Sequence, residues 1–172
     1  MNLYIRLLLV RLRAYRRQKL SVWETARTPF RVTPTDLDLL GHVNNGKYLS
    51  ILDLGRVDLL LRSGLWAKIA AQKWYPVVAG QTITYRKSLK LGQKFDVYTR
   101  IAGFDDRWVY LEQTFRVGST VHATAAIRST FLKKSGGSVQ RHELETLVGE
   151  IPDQLRVPES VLSGTAALPT PG

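Results

Sequence analysis

Residues 46–64 read GKYLSILDLGRVDLLLRSG, and the placement of their apolar side chains decides the architecture. The spacing predicts a helix of about five turns. Tyr48, Leu49, Ile51, Leu52, Val57, Leu59, Leu60 and Leu61 do not keep to one stripe but cover most of its circumference, the pattern of a helix buried on most sides. Gly64 follows at the position where a left-handed residue ends a helix. Such a helix cannot lie on a flat surface without leaving much of its apolar area in water. It needs a sheet that curls around it.

The flanking segments supply that sheet. TPFRVTPT (28–35) alternates Phe30 and Val32 with Arg31 and Thr33, a half-buried strand. LWAKIAAQK (65–73) reads as a short second helix. Strands follow: QTITYRK (81–87), FDVYTRI (95–101), WVYLEQTFRV (108–117) and VHATAAIRSTFLKK (121–134), separated by KLGQK, AGFDDR and RVGST turns. Ala123 and Ala125 are small where another element could come close. HELETLVG (142–149) reads as a closing helix. The order of one strand, a buried helix and four antiparallel strands predicts an α+β domain over residues 21–150. Five strands in an open sheet leave two edges, which invite pairing with a second copy.

Length and composition agree with one domain: 172 residues, 44 % hydrophobic and 23 % charged, sit in the ordinary globular range. The chain has no cysteine, which excludes disulfides, thiolate nucleophiles and cysteine metal sites. The net charge of +11 is uneven. Arg6, Arg11, Arg13, Arg16, Arg17 and Lys19 precede the first acid, Glu24, so residues 1–20 form a basic apolar segment of their own. Arg6 and Arg11 interrupt MNLYIRLLLVRL too early for a spanning helix, which needs roughly 20 apolar residues, and RAYRRQ offers no secretory cleavage site. The favoured expectation is that Leu3, Leu7, Leu8 and Leu12 pack on the domain or on a neighbouring subunit, leaving the arginines outside. Weak peripheral membrane contact is the secondary expectation. The expected location is the cytoplasm, with membrane association as the variant. Residues 151–172 read as an extension, frayed from about 163, where SGTAALPTPG has almost no bulky apolar residue.

Between the first strand and the buried helix lies DLDLLGHVNN (36–45). Asp36, Asp38 and Asn44 are natural capping or Asx-turn residues, and the plain reading is that they turn the chain and cap the helix. One cap and one turn need two such residues, whereas this decade holds four and His42 besides. The sharper reading makes the helix N-terminus a reaction site, where free N–H groups and the dipole polarise a carbonyl beside a carboxylate.

Those residues carry a resemblance. D-x-D-x-x-G-H-V-N-N-x-x-Y, formed by Asp36, Asp38, Gly41, His42, Val43, Asn44, Asn45 and Tyr48, resembles the signature of hot-dog-fold acyl-CoA thioesterases of the 4-hydroxybenzoyl-CoA thioesterase type. The likeness spans residues 26 to 134. It implies a curved antiparallel five-stranded sheet wrapped around one long central helix, assembled into homodimers or homotetramers. It implies hydrolysis of an acyl thioester to a free acid and a thiol. By position, Asp38 would attack the thioester or activate water, Asn45 would donate its backbone N–H to the oxyanion, and His42 and Asn44 would orient the turn. Gly41, Asn44 and Tyr48 would line the substrate. Asp36 looks more like a turn-former.

The chemistry is coherent on its own terms. A thioester carbonyl is electrophilic and its thiolate leaves readily, so no Ser-His-Asp triad is needed, and the G-x-S-x-G motif is absent. One oxyanion donor contributes about 2.7–4 kcal/mol. Asp53 in the helix is a second carboxylate, read in preference as an ion-pair partner of Arg56 or Arg31. His122 reads as a satisfied sheet histidine and His142 as a cap neighbour; with no metal-ligand spacing, neither a metal nor a cofactor is expected. Among the basic residues Arg86, Lys87, Arg128, Lys133, Lys134 and Arg141, Arg128 and Lys133 are put forward to hold the phosphates of coenzyme A or the acidic face of an acyl carrier protein. Individually, each is as well explained as part of a solvated basic face. A nucleic-acid partner is not expected, since no base-reading fold is recognisable. The competing function is a hot-dog module that binds acyl-CoA or acyl carrier protein without turnover. The carboxylate at Asp38 separates the two, because a carrier has no use for one.

Overall fold

A computed structural model describes residues 3–155. Its elements run α1 (Leu3–Arg16), β1 (Ala26–Arg31), a 3-10 turn (Pro34–Asp36), α2 (Asn45–Arg62), α3 (Leu65–Ala71), β2 (Trp74–Tyr85), β3 (Lys94–Phe104), β4 (Val109–Val117), β5 (Thr120–Lys133), α4 (Arg141–Val148) and a second 3-10 turn (Asp153–Leu155). The five strands form one antiparallel sheet in the order β1-β3-β4-β5-β2. β1 and β2, the strands on either side of α2 in sequence, are therefore the two edges. α2 must cross the whole face of the sheet to join them, which is why it is apolar nearly all round. The expected frayed tail from about 163 lies outside the described residues.

The core divides along α2. Its first half, Tyr48, Ile51 and Leu52, packs with Val32, Val43, Leu89, Phe95, Val97, Phe115, Ala123, Ala125 and Ile127. Its second half contributes Leu59 to a cluster with α3 (Leu65, Ile69), the far ends of β3 and β5 (Phe104, Phe131), and Leu144 of α4. Gly55 lies at the closest approach of helix and sheet. A Cβ there would stand 2.9 Å from both Gln113 Nε2 and Thr99 Oγ1, groups that are fixed to each other (2.9 Å) while Gln113 also donates to the Leu52 carbonyl (3.0 Å). Gly55→Ala is therefore expected to cost about 1–3 kcal/mol through overpacking, read as a lower denaturation midpoint at unchanged m-value.

Strand and helix positions follow the sequence reading except at the two edge strands. β1 spans Ala26–Arg31 rather than 28–35, because Pro34 has no N–H for a ladder and opens the 3-10 turn Pro34–Asp36 instead. β2 begins at Trp74, seven residues before the expected 81, because WYPVVAG carries Pro76 and Gly80, residues that argue against a strand interior. Both are accommodated because β2 is an edge strand and its pairing with β5 skips Ala79 in a bulge between Val78 and Gly80.

The packing of α1 corrects an expectation. Arg6, Val10 and Ala14 form its buried stripe against α2, while Leu3, Leu8 and Leu12 stay exposed. An arginine goes in and the leucines stay out. The reason is that buried acids await the cations. Arg6 Nη2 reaches Asp36 Oδ2 at 2.5 Å, and Arg17 Nη1 stands 3.5 Å from Asp58 Oδ2, which also takes Thr28 Oγ1 (2.8 Å) and Arg62 Nη1 (3.4 Å). The segment is thus clamped to the domain at both ends by ion pairs, with Val10 and Ala14 packed between them.

Candidate active site

The loop before α2 is built by its own polar side chains. Asp38 Oδ1 accepts the N–H groups of Leu40 (2.9 Å) and His42 (3.2 Å), while the Asp38 N–H donates to the His42 carbonyl (2.8 Å). Gly41 closes the turn at φ 74°, the left-handed region that glycine enters without strain. Asn44 caps α2, its Oδ1 accepting the Gly46 N–H at 2.9 Å. The base of the loop is tied by the Asn44 N–H to the Asp36 carbonyl (2.8 Å) and by the Val43 N–H to the Leu89 carbonyl (3.2 Å).

Asp36 is the buried anchor of this loop, 1 % exposed. Its Oδ2 accepts the Thr33 N–H and the Thr33 hydroxyl, both at 2.8 Å, and Arg6. Burial pushes the Asp36 carboxyl up, but the Thr33 and Arg6 hydrogen bonds outweigh it and hold the acid below the usual carboxylate range. Asp36 turns the chain as expected, and Arg6 as its partner is the residue that sequence reasoning missed. The only signal was the spacing of Arg6 with Val10 and Ala14 at four-residue intervals.

Asp38, His42, Val43, Asn45 and Tyr48 meet Tyr85, Arg86, Lys87 and Ser88 around one groove of about 300 Å³ at the N-terminus of α2. Asn45 is the first helical residue, so its N–H has no acceptor within the helix. Tyr48 forms the floor: it is 2 % exposed, its ring meets Tyr85 and Phe115 edge-on, and its hydroxyl accepts the Leu89 N–H at 3.4 Å. Burial raises the pKa of both Tyr48 and Tyr85, keeping the two phenols neutral. The Arg86 and Lys87 N–H groups both donate to the His122 carbonyl (2.9 and 3.0 Å), and His122 Nδ1 lies 3.1 Å from the Lys87 carbonyl. His122 therefore fixes the basic pair beside the groove.

Two residues put forward for coenzyme A lie elsewhere. Arg128 is paired with Gly80 and stacks on Trp108 at 4.9 Å, while Lys133 is paired with Trp74 and bonded to Glu143 at 2.7 Å. Ala123 pairs with Tyr85 at the groove, so along β5 Arg128 is about 16 Å away and Lys133 about 33 Å. The cations that do reach the groove are Arg86 and Lys87.

A second cavity, of about 170 Å³, lies farther along α2 under an almost wholly apolar lining that includes Trp23, Leu60, Trp66, Phe104, Leu111 and Phe131. Asp53 and Arg56 stand at its wall. Asp53 is bonded to Arg56, the first of its two expected partners, and Arg56 also donates to Gln113 Oε1 at 2.7 Å.

Comparison with known proteins bears on the family and the fold. Residues 32–163 match the family model of the thioesterase-like superfamily. Over 84 residues the chain is 43 % identical to Protein THEM6 of Xenopus laevis, an overlap of 49 % of this chain and 41 % of that protein; the chain spans less than two thirds of the length of the curated relatives it matches. The probable thioesterase YbaW from Escherichia coli superposes with a TM-score of 0.65 at 25 % identity, covering 71 % of this chain and 98 % of that one. A Staphylococcus aureus protein solved in complex with CoA superposes with a TM-score of 0.63 at 17 % identity, covering 80 % and 96 %, a likeness of fold. The expected hot-dog architecture is the one observed.

Proposed function

This chain belongs to the thioesterase-like superfamily, and from that premise we propose that it is an acyl-CoA thioesterase whose reacting groups stand at the N-terminus of α2. The observation that carries the reading is the single groove shared by the Asp38 carboxylate, the first N–H of α2 at Asn45, and the cations Arg86 and Lys87. The thioester carbonyl would sit against the Asn45 N–H, where the helix dipole adds to the polarisation. Asp38 then either attacks the carbonyl carbon or takes a proton from the attacking water. Where Asp38 activates water, collapse of the tetrahedral intermediate breaks the C–S bond, the sulfur leaves as thiolate and is protonated, and the acid is released. Where Asp38 attacks, the same collapse leaves a mixed anhydride on Asp38, which a water then hydrolyses to the free acid and the regenerated carboxylate. The loop hydrogen bonds use Asp38 Oδ1, so the other oxygen remains for this work. Arg86 and Lys87 would meet the phosphates of coenzyme A, and an acyl carrier protein would meet the same charges. His42, exposed beside Asp38, would keep the turn in shape.

A panel of acyl-CoAs with a thiol-trapping readout tests this. Release of free coenzyme A from at least one of them is expected. Binding across the panel with no thiol release would instead favour the non-catalytic module. A second carboxylate reading rests on Asp53, which stands at the wall of the apolar cavity; Asp53→Asn is expected to keep most of the turnover, and losing it there while Asp38→Asn stays active would move the chemistry to that cavity.

We also infer a homodimer at minimum. β2 is an unpaired edge, Tyr75, Val78 and Tyr85 on it are exposed, and Leu39 and Leu40 at the loop tip beside Asp38 are open to solvent. Pairing through that edge would cover apolar side chains next to the groove. Sedimentation velocity at micromolar concentration is expected to show twice the chain mass; an active monomer would contradict the inference.

A further inference from the structure

The outward face of α1 is unexplained by the site. At about 100° per residue, Ile5, Leu8, Leu12 and Tyr15 fall within roughly 80° of one another, and each is more than half exposed. This stripe lies opposite the one formed by Arg6, Val10 and Ala14, which faces α2. Val10 and Ala14 on the buried side add to the apolar residues of the outer stripe, which is why the sequence looks apolar all round. Arg11 borders the stripe on one side and Arg16 on the other; both are exposed, and neither makes an ion pair among the described residues. No acid precedes Glu24.

We propose that this face of α1 docks the protein on an anionic lipid surface. Apolar and aromatic side chains flanked by arginines are the composition of a helix that lies in the headgroup plane. The described helix has 14 residues, about 21 Å of length against roughly 30 Å of hydrocarbon, too short to cross a bilayer and suited to lying along one. Its orientation is set in advance, because Arg6 and Arg17 hold it to Asp36 and Asp58. A second copy is the poorer occupant. Two such faces would bring Arg11 and Arg16 of each chain together with no carboxylate of the segment to offset them. The proposal stands apart from the thioesterase reading and does not depend on turnover.

The test is co-sedimentation of the full chain with vesicles of phosphatidylcholine carrying roughly 30 % phosphatidylglycerol, a charge density at which each nearby arginine contributes about fivefold to partition. Binding is expected there and not to pure phosphatidylcholine. Arg11→Gln with Arg16→Gln should weaken it by roughly tenfold or more. Leu8→Gln with Leu12→Gln should abolish it while circular dichroism, melting temperature and oligomeric state stay as in the parent, since both side chains are more than half exposed and neither belongs to a core cluster. Equal partition of the parent and the Leu variant, or no partition of the parent, overturns the proposal. A Leu variant that instead loses its oligomeric state assigns the stripe to a second copy and overturns it as well.

Discussion

Replacing Asp38 by Asn is expected to lower kcat for acyl-CoA hydrolysis by about 10²–10⁴-fold, the contribution of a positioned acid or base, while leaving the fold intact. The substitution isolates chemistry because of how the loop is made. Asp38 shapes the turn by accepting two N–H groups on one oxygen, and the amide oxygen of Asn can accept the same two. The loop should keep its form, and the unfolding free energy should change by no more than about 0.5 kcal/mol, as for a neutral surface change. What Asn lacks is a carboxylate able to attack or to accept a proton. A single-turnover assay with thiol trapping separates the outcomes. A fall in kcat at steady KM places Asp38 in the transition state. Unchanged turnover would remove it from the mechanism.

Much of the architecture was legible because the signals were periodic. The helix at 46–64 declared its burial by being apolar on most sides, and that alone required a sheet crossing behind it. Alternation located β3, β4 and β5 nearly to their ends. β2 was legible only in part, since Pro76 and Gly80 hide a strand that an edge position and a bulge make acceptable. At the site, the loop chemistry could be read from Asp36, Asp38, Gly41 and Asn44, whose side chains act on backbone within a few residues. Nothing local encodes which cations arrive from elsewhere. Arg86 and Lys87 reach the groove through the β2–β5 register and His122, while Arg128 and Lys133 are carried away along β5 by the same register. The inward turn of Arg6 was hidden for a similar reason: its partner, Asp36, is thirty residues on.

That buried pair carries the largest expected effect on stability. Removing one member of a buried ion pair costs about 3–5 kcal/mol, because the other charge is left without compensation, so Arg6→Met should lower the unfolding free energy by about that amount. Asp36 is the more confined partner, with all its contacts on Oδ2, and Thr33 alone would have to hold its charge. The loss should also change with pH in a defined sense. The folded pKa of Asp36 lies below its ordinary value. The stability it contributes is thus present above the unfolded value near about 3.9 and lost as pH falls through the folded one. Without Arg6, burial would raise that folded pKa, so the variant should begin acid unfolding at higher pH than the parent, with the gap between them narrowing once Asp36 is protonated in both. The double variant Arg6→Met, Asp36→Asn should recover part of the loss, the coupling expected of groups in direct contact. The consequence reaches the site, because the Asp36 carbonyl holds the Asn44 N–H at the start of α2. Loosening it should raise KM or lower kcat even at temperatures where the variant is folded. Denaturation from pH 3 to 8 by urea checks the first claim, and equal midpoints for parent and Arg6→Met throughout would show that the pair does not anchor the loop.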